Sequence, residues 1–338
     1  MTSNPPVYKK KDFASDQMVR WCPGCGDYAI LAQVQTVFSK LGIPREDFAV
    51  IAGIGCSSRF PYYMETYGFH TIHGRAPAVA TGLKATRPEL SVWLVTGDGD
   101  GLSIGGNHLI HLLRRNVDLN VMLFNNRIYG LTKGQYSPTS EMGKRTKSSP
   151  MGSLDAPFNP LLLALGAGGS FIARSVDVFA KHLQAQLTAM PAHTGTSFLE
   201  IFQNCIIFND DAFDNVTDRD ARKGNVLYLE AGEPLVWGRE DARHGFVLNG
   251  MALEAVDVVD GDVSGILRHD TSDKMLATLL ASLDPTRGDP IPIGIFYQED
   301  RPAYDQQFQG QLDESRKTLG TGDLHALLHA GDTWKVRG

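Results

Sequence analysis

Ser91-Val92-Trp93-Leu94-Val95-Thr96-Gly97-Asp98-Gly99-Asp100-Gly101 joins an apolar run to a turn of alternating glycine and aspartate. The run is short, and its hydrophobicity is unbroken, which predicts a strand buried on both faces. Glycines directly after such a strand let backbone approach an anionic ligand closely. Outward from this stretch the same order repeats. Phe48-Ala49-Val50-Ile51-Ala52 predicts a strand ending in a Gly-rich turn, and Asn120-Val121-Met122-Leu123-Phe124 predicts another, closed by Asn125-Asn126. Further strands are predicted at 170–173 and 197–202. Between them, apolar residues from Ile30 to Leu41 recur at helical spacing until Gly42 and Pro44, and an Ala-rich helix from Gly74 to Arg87 stops at Pro88. Helices are also predicted at 102–115, 159–165 and 176–190. Strands alternating with helices point to an α/β fold, a mostly parallel sheet covered by helices on both faces. Such sheets bind ligands at the carboxyl ends of their strands. After about residue 210 the pattern loosens, with strand-like pieces at 225–229, 235–237 and 292–297 and a helix at 272–282. The expected organisation is a basic arm (1–20), a ligand-binding domain (21–210) and an irregular C-terminal extension (211–338).

The formal net charge of −6 over 338 residues argues against a nucleic-acid surface, and 42% hydrophobic residues suits a globular core. No apolar run approaches the ~20 residues that cross a bilayer, and the N-terminal lysines precede no apolar run. No membrane span and no secretory signal are therefore expected, and a cytoplasmic location is. There thiols stay reduced, so disulfides explain cysteines poorly. The chain has four cysteines. Cys22 and Cys25 lie in Trp21-Cys22-Pro23-Gly24-Cys25-Gly26, Cys56 in Gly53-Ile54-Gly55-Cys56-Ser57-Ser58, and Cys205 after Phe198-Leu199-Glu200-Ile201-Phe202. Four thiolates match one four-iron four-sulfur cluster or one structural zinc.

Asp98 at one strand end and Asn126 at the next offer hard oxygen ligands from adjacent loops, the kind magnesium uses to bridge a protein to phosphates. A dinucleotide fold would want an acid about 20 residues further on. Asp118 has that spacing but precedes its strand. A calcium loop would want its bidentate acid twelfth from Asp98, where Leu109 stands. A Gly/Asp turn without a ligand is the remaining alternative.

Taken together, the chain resembles the beta subunit of the 2-oxoacid:ferredoxin oxidoreductases, which use thiamine diphosphate. The likeness covers roughly Trp21 to Cys205. It rests on Cys22-Pro23-Gly24-Cys25-Gly26, Gly53-Ile54-Gly55-Cys56, His73-Gly74-Arg75-Ala76, Gly97-Asp98-Gly99-Asp100, Asn126-Arg127-Ile128-Tyr129-Gly130-Leu131-Thr132-Lys133-Gly134-Gln135 and Cys205. The resemblance implies that Cys22, Cys25, Cys56 and Cys205 hold a four-iron four-sulfur cluster. It implies magnesium on Asp98, Asn126 and the Ile128 carbonyl. It places Ile54, Gly55, Cys56, Ser57, His73, Gly99, Asp100, Gly130 and Leu131 around the diphosphate and thiazolium, with His73 as the catalytic candidate. Lys133 falls where the family meets the side chain of the 2-oxoacid. Pyruvate-directed relatives commonly carry a small residue in that loop, so Lys133 points to 2-oxoglutarate, with pyruvate or a broad range as the alternative. A zinc-stabilised subunit without redox function is the alternative from another class.

The implied reaction converts 2-oxoglutarate and coenzyme A to succinyl-coenzyme A and carbon dioxide, reversibly, passing electrons singly to ferredoxin. The hard chemistry belongs to the cofactor. The resemblance places the acid that activates its pyrimidine on a separate alpha subunit, so this chain alone is expected to be inactive and the enzyme to be two alpha–beta pairs. Lys9, Lys10, Lys11 and Arg20 read as a solvated tail, with a ferredoxin-docking patch as the alternative. Lys144, Arg145 and Lys147 read as a mobile polar loop, with contact to coenzyme A phosphates as the alternative. His70 reads as filling a turn.

Overall fold

The computed structural model describes residues 7–336, so the first six residues of the expected arm and the last two of the expected extension lie outside the description. Its strands are β1 (Phe48–Ala52), β2 (Tyr67–His70), β3 (Ser91–Gly97), β4 (Leu119–Asn125), β5 (Phe171–Val176), β6 (Thr196–Phe202), β7 (Val226–Leu229), β8 (Val236–Arg239), β9 (Ala242–Asn249), β10 (Ala252–Asp257) and β11 (Ile291–Gln298). An eight-stranded sheet runs β2-β1-β3-β4-β6-β5-β11-β7. It is parallel from β2 to β5; β11 is antiparallel to β5, and β7 is parallel to β11. The helices are α1 (Asp27–Phe38), α2 (Ala76–Thr86), α3 (Asp98–Leu102), α4 (Gly106–Arg115), α5 (Pro160–Gly166), α6 (Ala180–Ala189), α7 (Asp214–Thr217), α8 (Ala221–Asn225), α9 (Lys274–Ala281) and α10 (Tyr304–Leu319), with a further turn over Leu324–Leu328.

Alternate residues of each strand point to opposite faces. Phe48, Val50, Trp93, Val95, Met122 and Phe124 pack with α1 and α6 on one face. Ala49, Ile51, Val92, Leu94, Val121 and Leu123 pack with α2, α4, α5 and α9 on the other. Unbroken hydrophobicity in the strands is the direct consequence of this double cover.

Four expectations are corrected. The single helix expected over 102–115 is two, α3 and α4, because backbone meets backbone at the break. A Cβ on Gly74 (φ +71°) would stand 2.5 Å from the Gly105 nitrogen, and one on Gly105 would stand 2.5 Å from the Asp100 carbonyl. The extension expected to be irregular instead adds β7 and β11 to the main sheet and builds an antiparallel sheet from β8, β9 and β10. Residues 7–20 are no solvated tail. Phe13 is fully buried, edge-on to Phe38 at 5.8 Å and to Phe48 at 5.5 Å, while Lys9, Lys10 and Lys11 stay exposed. The loop expected to be mobile is tied down: the Gly143 N–H donates to the Ser153 carbonyl (2.9 Å), and Lys144 pairs with Glu141 (2.9 Å).

Candidate functional site

The carboxyl ends of β1, β3 and β4 lie side by side, and their loops close around a cleft of about 80 Å³. Ile54, Gly55, Cys56 and Ser57 come from the loop after β1, and His73 from the loop after β2. Asp98, Gly99 and Asp100 come from the start of α3, and Asn126, Ile128, Gly130 and Leu131 from the loop after β4. All of them line the cleft. Every residue expected at the diphosphate and magnesium is thus in one place.

The carboxylate of Asp98 is buried, which pushes its pKa above the ordinary value. It accepts hydrogen bonds from Ser137 Oγ (2.5 Å) and Thr139 Oγ1 (2.6 Å). The Asn126 side-chain oxygen accepts the Ile128 N–H at 3.1 Å, and Asn209 Nδ2 donates to the Asn126 carbonyl at 2.9 Å. Asp98, the Asn126 side-chain oxygen and the Ile128 carbonyl are oxygen donors on one cleft, a set suited to a hard divalent cation. Tyr129 donates its hydroxyl to the Gly99 carbonyl at 3.0 Å. A Cβ on Gly99 would meet the Tyr129 ring at 2.2 Å, so only glycine leaves this wall intact.

Asp100 uses its buried carboxylate on protein donors: the Ile54 N–H at 3.1 Å, the Gly74 N–H at 2.8 Å and the Thr96 hydroxyl at 2.7 Å. It ties three loops of the cleft together. His73 Nδ1 lies 3.1 Å from Asp100 Oδ1, close enough for an ion pair but without hydrogen-bond alignment. His70 Nδ1 sits 2.9 Å from the Tyr62 hydroxyl and does not line the cleft.

The four cysteines are free thiols and line one cavity of about 200 Å³. A Cβ on Gly130 would stand 3.5 Å from Cys205 Sγ and 3.6 Å from Cys56 Sγ. Burial pushes the thiols of Cys25, Cys56 and Cys205 up, that of Cys56 to about 12, and a bound metal would favour their thiolate form. Among the described residues, no three His, Cys, Asp or Glu side chains are spaced to share one ion. A cluster asks for a different spacing, since each thiolate ligates its own iron. Cavity, glycine wall and thiol burial all fit such a group. Cys56, Asn126, Gly130 and Leu131 line both the cavity and the cleft.

Lys133 (φ +76°) lines the cysteine cavity with Arg20 and Arg59 and does not line the cleft. Sequence reasoning missed Ser137 and Thr139, which lie far from Asp98 along the chain, and Gln203 beside Cys205. It also missed Asp27, whose burial, together with the nearby Asp177 charge, lifts its pKa to about 7. A larger cavity of about 510 Å³ lies behind Asn125 and Thr139, where Arg174 and Glu200 pair with each other at 2.7 Å.

Residues 53–201 match the family described as thiamine pyrophosphate enzyme, C-terminal TPP binding domain. Residues 260–312 match the family that describes the C-terminal part of the pyruvate ferredoxin oxidoreductase beta subunit. The 2-oxoglutarate oxidoreductase subunit KorB of Mycobacterium tuberculosis is 52% identical over 97% of this chain and 88% of its own length. A 2-oxoacid:ferredoxin oxidoreductase subunit beta from a Sulfolobus species is 36% identical over 86% of this chain and 85% of its own. Among solved structures, 2-oxoglutarate:ferredoxin oxidoreductase from Magnetococcus marinus, with 2-oxoglutarate, coenzyme A and succinyl-CoA bound, superposes with a TM-score of 0.76. It is 35% identical, and the match covers 96% of this chain and 97% of that one. A diphosphate-type cleft sharing a wall with a four-cysteine cavity, on a fold matched nearly end to end by these relatives, places the chain in the family of 2-oxoacid:ferredoxin oxidoreductase beta subunits.

Proposed function

We propose that this chain is the cofactor-carrying subunit of a 2-oxoglutarate:ferredoxin oxidoreductase. The observation that carries this reading is the shared wall. Cys56, Asn126, Gly130 and Leu131 separate the cleft from the cysteine cavity, so electrons released in one have a short path to the other. Thiamine diphosphate, when bound, supplies the decarboxylation chemistry. Asp98, Asn126 and the Ile128 carbonyl hold magnesium against the diphosphate, and the glycines of the Gly97–Gly101 turn allow its close approach. Cys22, Cys25, Cys56 and Cys205 hold one four-iron four-sulfur cluster, the one-electron acceptor. Zinc is disfavoured, because one ion needs four sulfurs at about 2.3 Å and a closed site. Lys133 meets the distal carboxylate of 2-oxoglutarate, and His73 flanks the reacting end.

The cleft of about 80 Å³ is too small to enclose the whole cofactor. Another chain must wall off the pyrimidine, which supports an alpha subunit and, by symmetry, two alpha–beta pairs. Coenzyme A takes the acyl group, and ferredoxin takes the electrons, met by the exposed Lys9, Lys10 and Lys11. Among the described residues no helix is long and apolar enough to cross a membrane. Four free thiols suit a reducing cytoplasm.

The test is to copurify the chain anaerobically with its alpha subunit, assay iron and acid-labile sulfide, and run a panel of 2-oxoacids with coenzyme A and ferredoxin. Four irons and four sulfides per chain with 2-oxoglutarate preferred is the expected result. Zinc without sulfide would overturn the reading. A preference for pyruvate would narrow it to the family alone.

A further inference from the structure

Gln203 follows β6 and lies just before Cys205, with almost no exposure to solvent. Its main-chain N–H donates to the Asn125 carbonyl at the end of β4 (2.9 Å), which fixes where the side chain starts. From there its amide Nε2 reaches Cys25 Sγ at 3.3 Å and donates also to the Asn204 carbonyl at 2.5 Å. The Asn204 carbonyl sets the orientation of the amide: a carbonyl oxygen in that place would face another oxygen without a proton between them. The amide therefore directs N–H bonds at the sulfur of a cysteine from the first loop. The Asn204 carbonyl also accepts the Gly26 N–H at 3.1 Å, so the two cysteine-bearing segments are already locked together without the Gln203 side chain.

We infer that Gln203 is a tuning residue for the iron–sulfur cluster of the proposed function, raising its reduction potential through an N–H···S bond to Cys25. Reduction adds a negative charge that spreads over the cluster's sulfurs and the cysteine sulfurs. A donor aimed at one of those sulfurs binds the reduced form more strongly than the oxidised form. Cluster potentials respond to such bonds, and residues just outside a metal's ligands commonly set its properties. Burial keeps water from replacing the donor when the amide is removed. The amide is neutral, so it shifts the potential without changing the net charge of the site.

The inference rests on the proposed cluster, and its test separates the two. The wild-type alpha–beta complex is purified anaerobically beside Gln203→Leu and Gln203→Glu. Iron and sulfide content are measured first, then the potential by a redox titration followed by electron paramagnetic resonance. A hydrogen bond to a charged group is worth about a factor of ten in an equilibrium. At a fixed poise, Gln203→Leu should therefore lower the ratio of reduced to oxidised cluster about tenfold, a shift of about 59 mV for one electron. Gln203→Glu, which places a carboxylate beside the sulfur, should shift it further in the same direction. If the wild type holds no cluster, the proposed function fails. If both variants hold a full cluster at the wild-type potential, the proposed function stands and the role given to Gln203 is wrong. Loss of the cluster from both variants would also overturn it, leaving Gln203 as scaffolding for the loop.

Discussion

Asp98 combines a buried carboxylate with a raised pKa and has, among the described residues, neutral donors but no cation as partners, which is an uncomfortable state for an anion. The sign follows from linkage. A carboxylate with a raised folded pKa contributes stability below its unfolded value and loses it as pH rises through the folded one. A bound cation favours the ionised form and reverses the penalty. At neutral pH the cofactor-free Asp98→Asn variant should thus melt at or above the wild type. Magnesium with thiamine diphosphate should raise the melting temperature of the wild type and leave the variant unmoved; equal shifts in both would remove Asp98 from the metal. Lys133 is the second decisive residue. A charge-assisted bond is worth about 1.5–3 kcal/mol, roughly ten- to a hundredfold. Lys133→Gly should lose that much turnover with 2-oxoglutarate and far less with pyruvate, while glycine adopts the left-handed backbone at no steric cost. Parallel loss on both substrates would assign Lys133 to the cysteine cavity it lines.

At the scale of elements, the loops are held by close backbone approach. Gly74 and Gly105 touch where α3 gives way to α4, and this contact presses the His73 loop onto Asp100. Gly105→Ala forces a methyl into the Asp100 carbonyl, and overpacking of this kind costs about 1–3 kcal/mol. The expected outcome is a lower denaturant midpoint and weaker thiamine diphosphate binding by isothermal titration. A variant that keeps both would mean that the helix break is slack. The strands of this region were legible because each carries its own unbroken apolar run. The helix break was only half legible: Gly105-Gly106 is a breaker pair, but nothing local announces that backbone arrives there from Gly74. β2 was missed for a related reason: Tyr67–His70 is an exposed edge strand without a burial pattern, and it exists because β1 offers it a partner.

For the whole molecule, acid sensitivity has an identifiable source. Burial depresses the pKa of His182 from 6.5 to about 4, and its Nδ1 lies 2.8 Å from the Ser175 hydroxyl. The folded state keeps this ring neutral, so it binds fewer protons than the unfolded chain. Its contribution is full above pH 6.5 and is lost as pH falls towards about 4. The loss is up to about 3 kcal/mol. Denaturant titrations across that window should flatten in His182→Gln; an unchanged slope would assign the acid limb to other groups. The molecule also leaves Tyr67 and Phe69 of the edge strand exposed, with Ile72 and Ile104 nearby. Exposed apolar edges invite a partner. Hydrogen exchange at 67–72 should slow when the alpha subunit binds, and unaltered exchange there would put that subunit elsewhere.

Chemistry and secondary structure were written locally in this chain. A buried strand, a Gly/Asp turn and a Cys-x-x-Cys pair are each complete within a dozen residues or so, and their side chains name the ligand types they suit. Convergence was not local. Cys205 reaches Cys56 across Gly130 only because β6 lies beside β4, and the segment after residue 210 joins the sheet only because β5 leaves an edge open to β11. Pairing between distant strands is a property of the packed whole. The amide that Gln203 turns towards Cys25 was decided there too, in space and not in the order of residues.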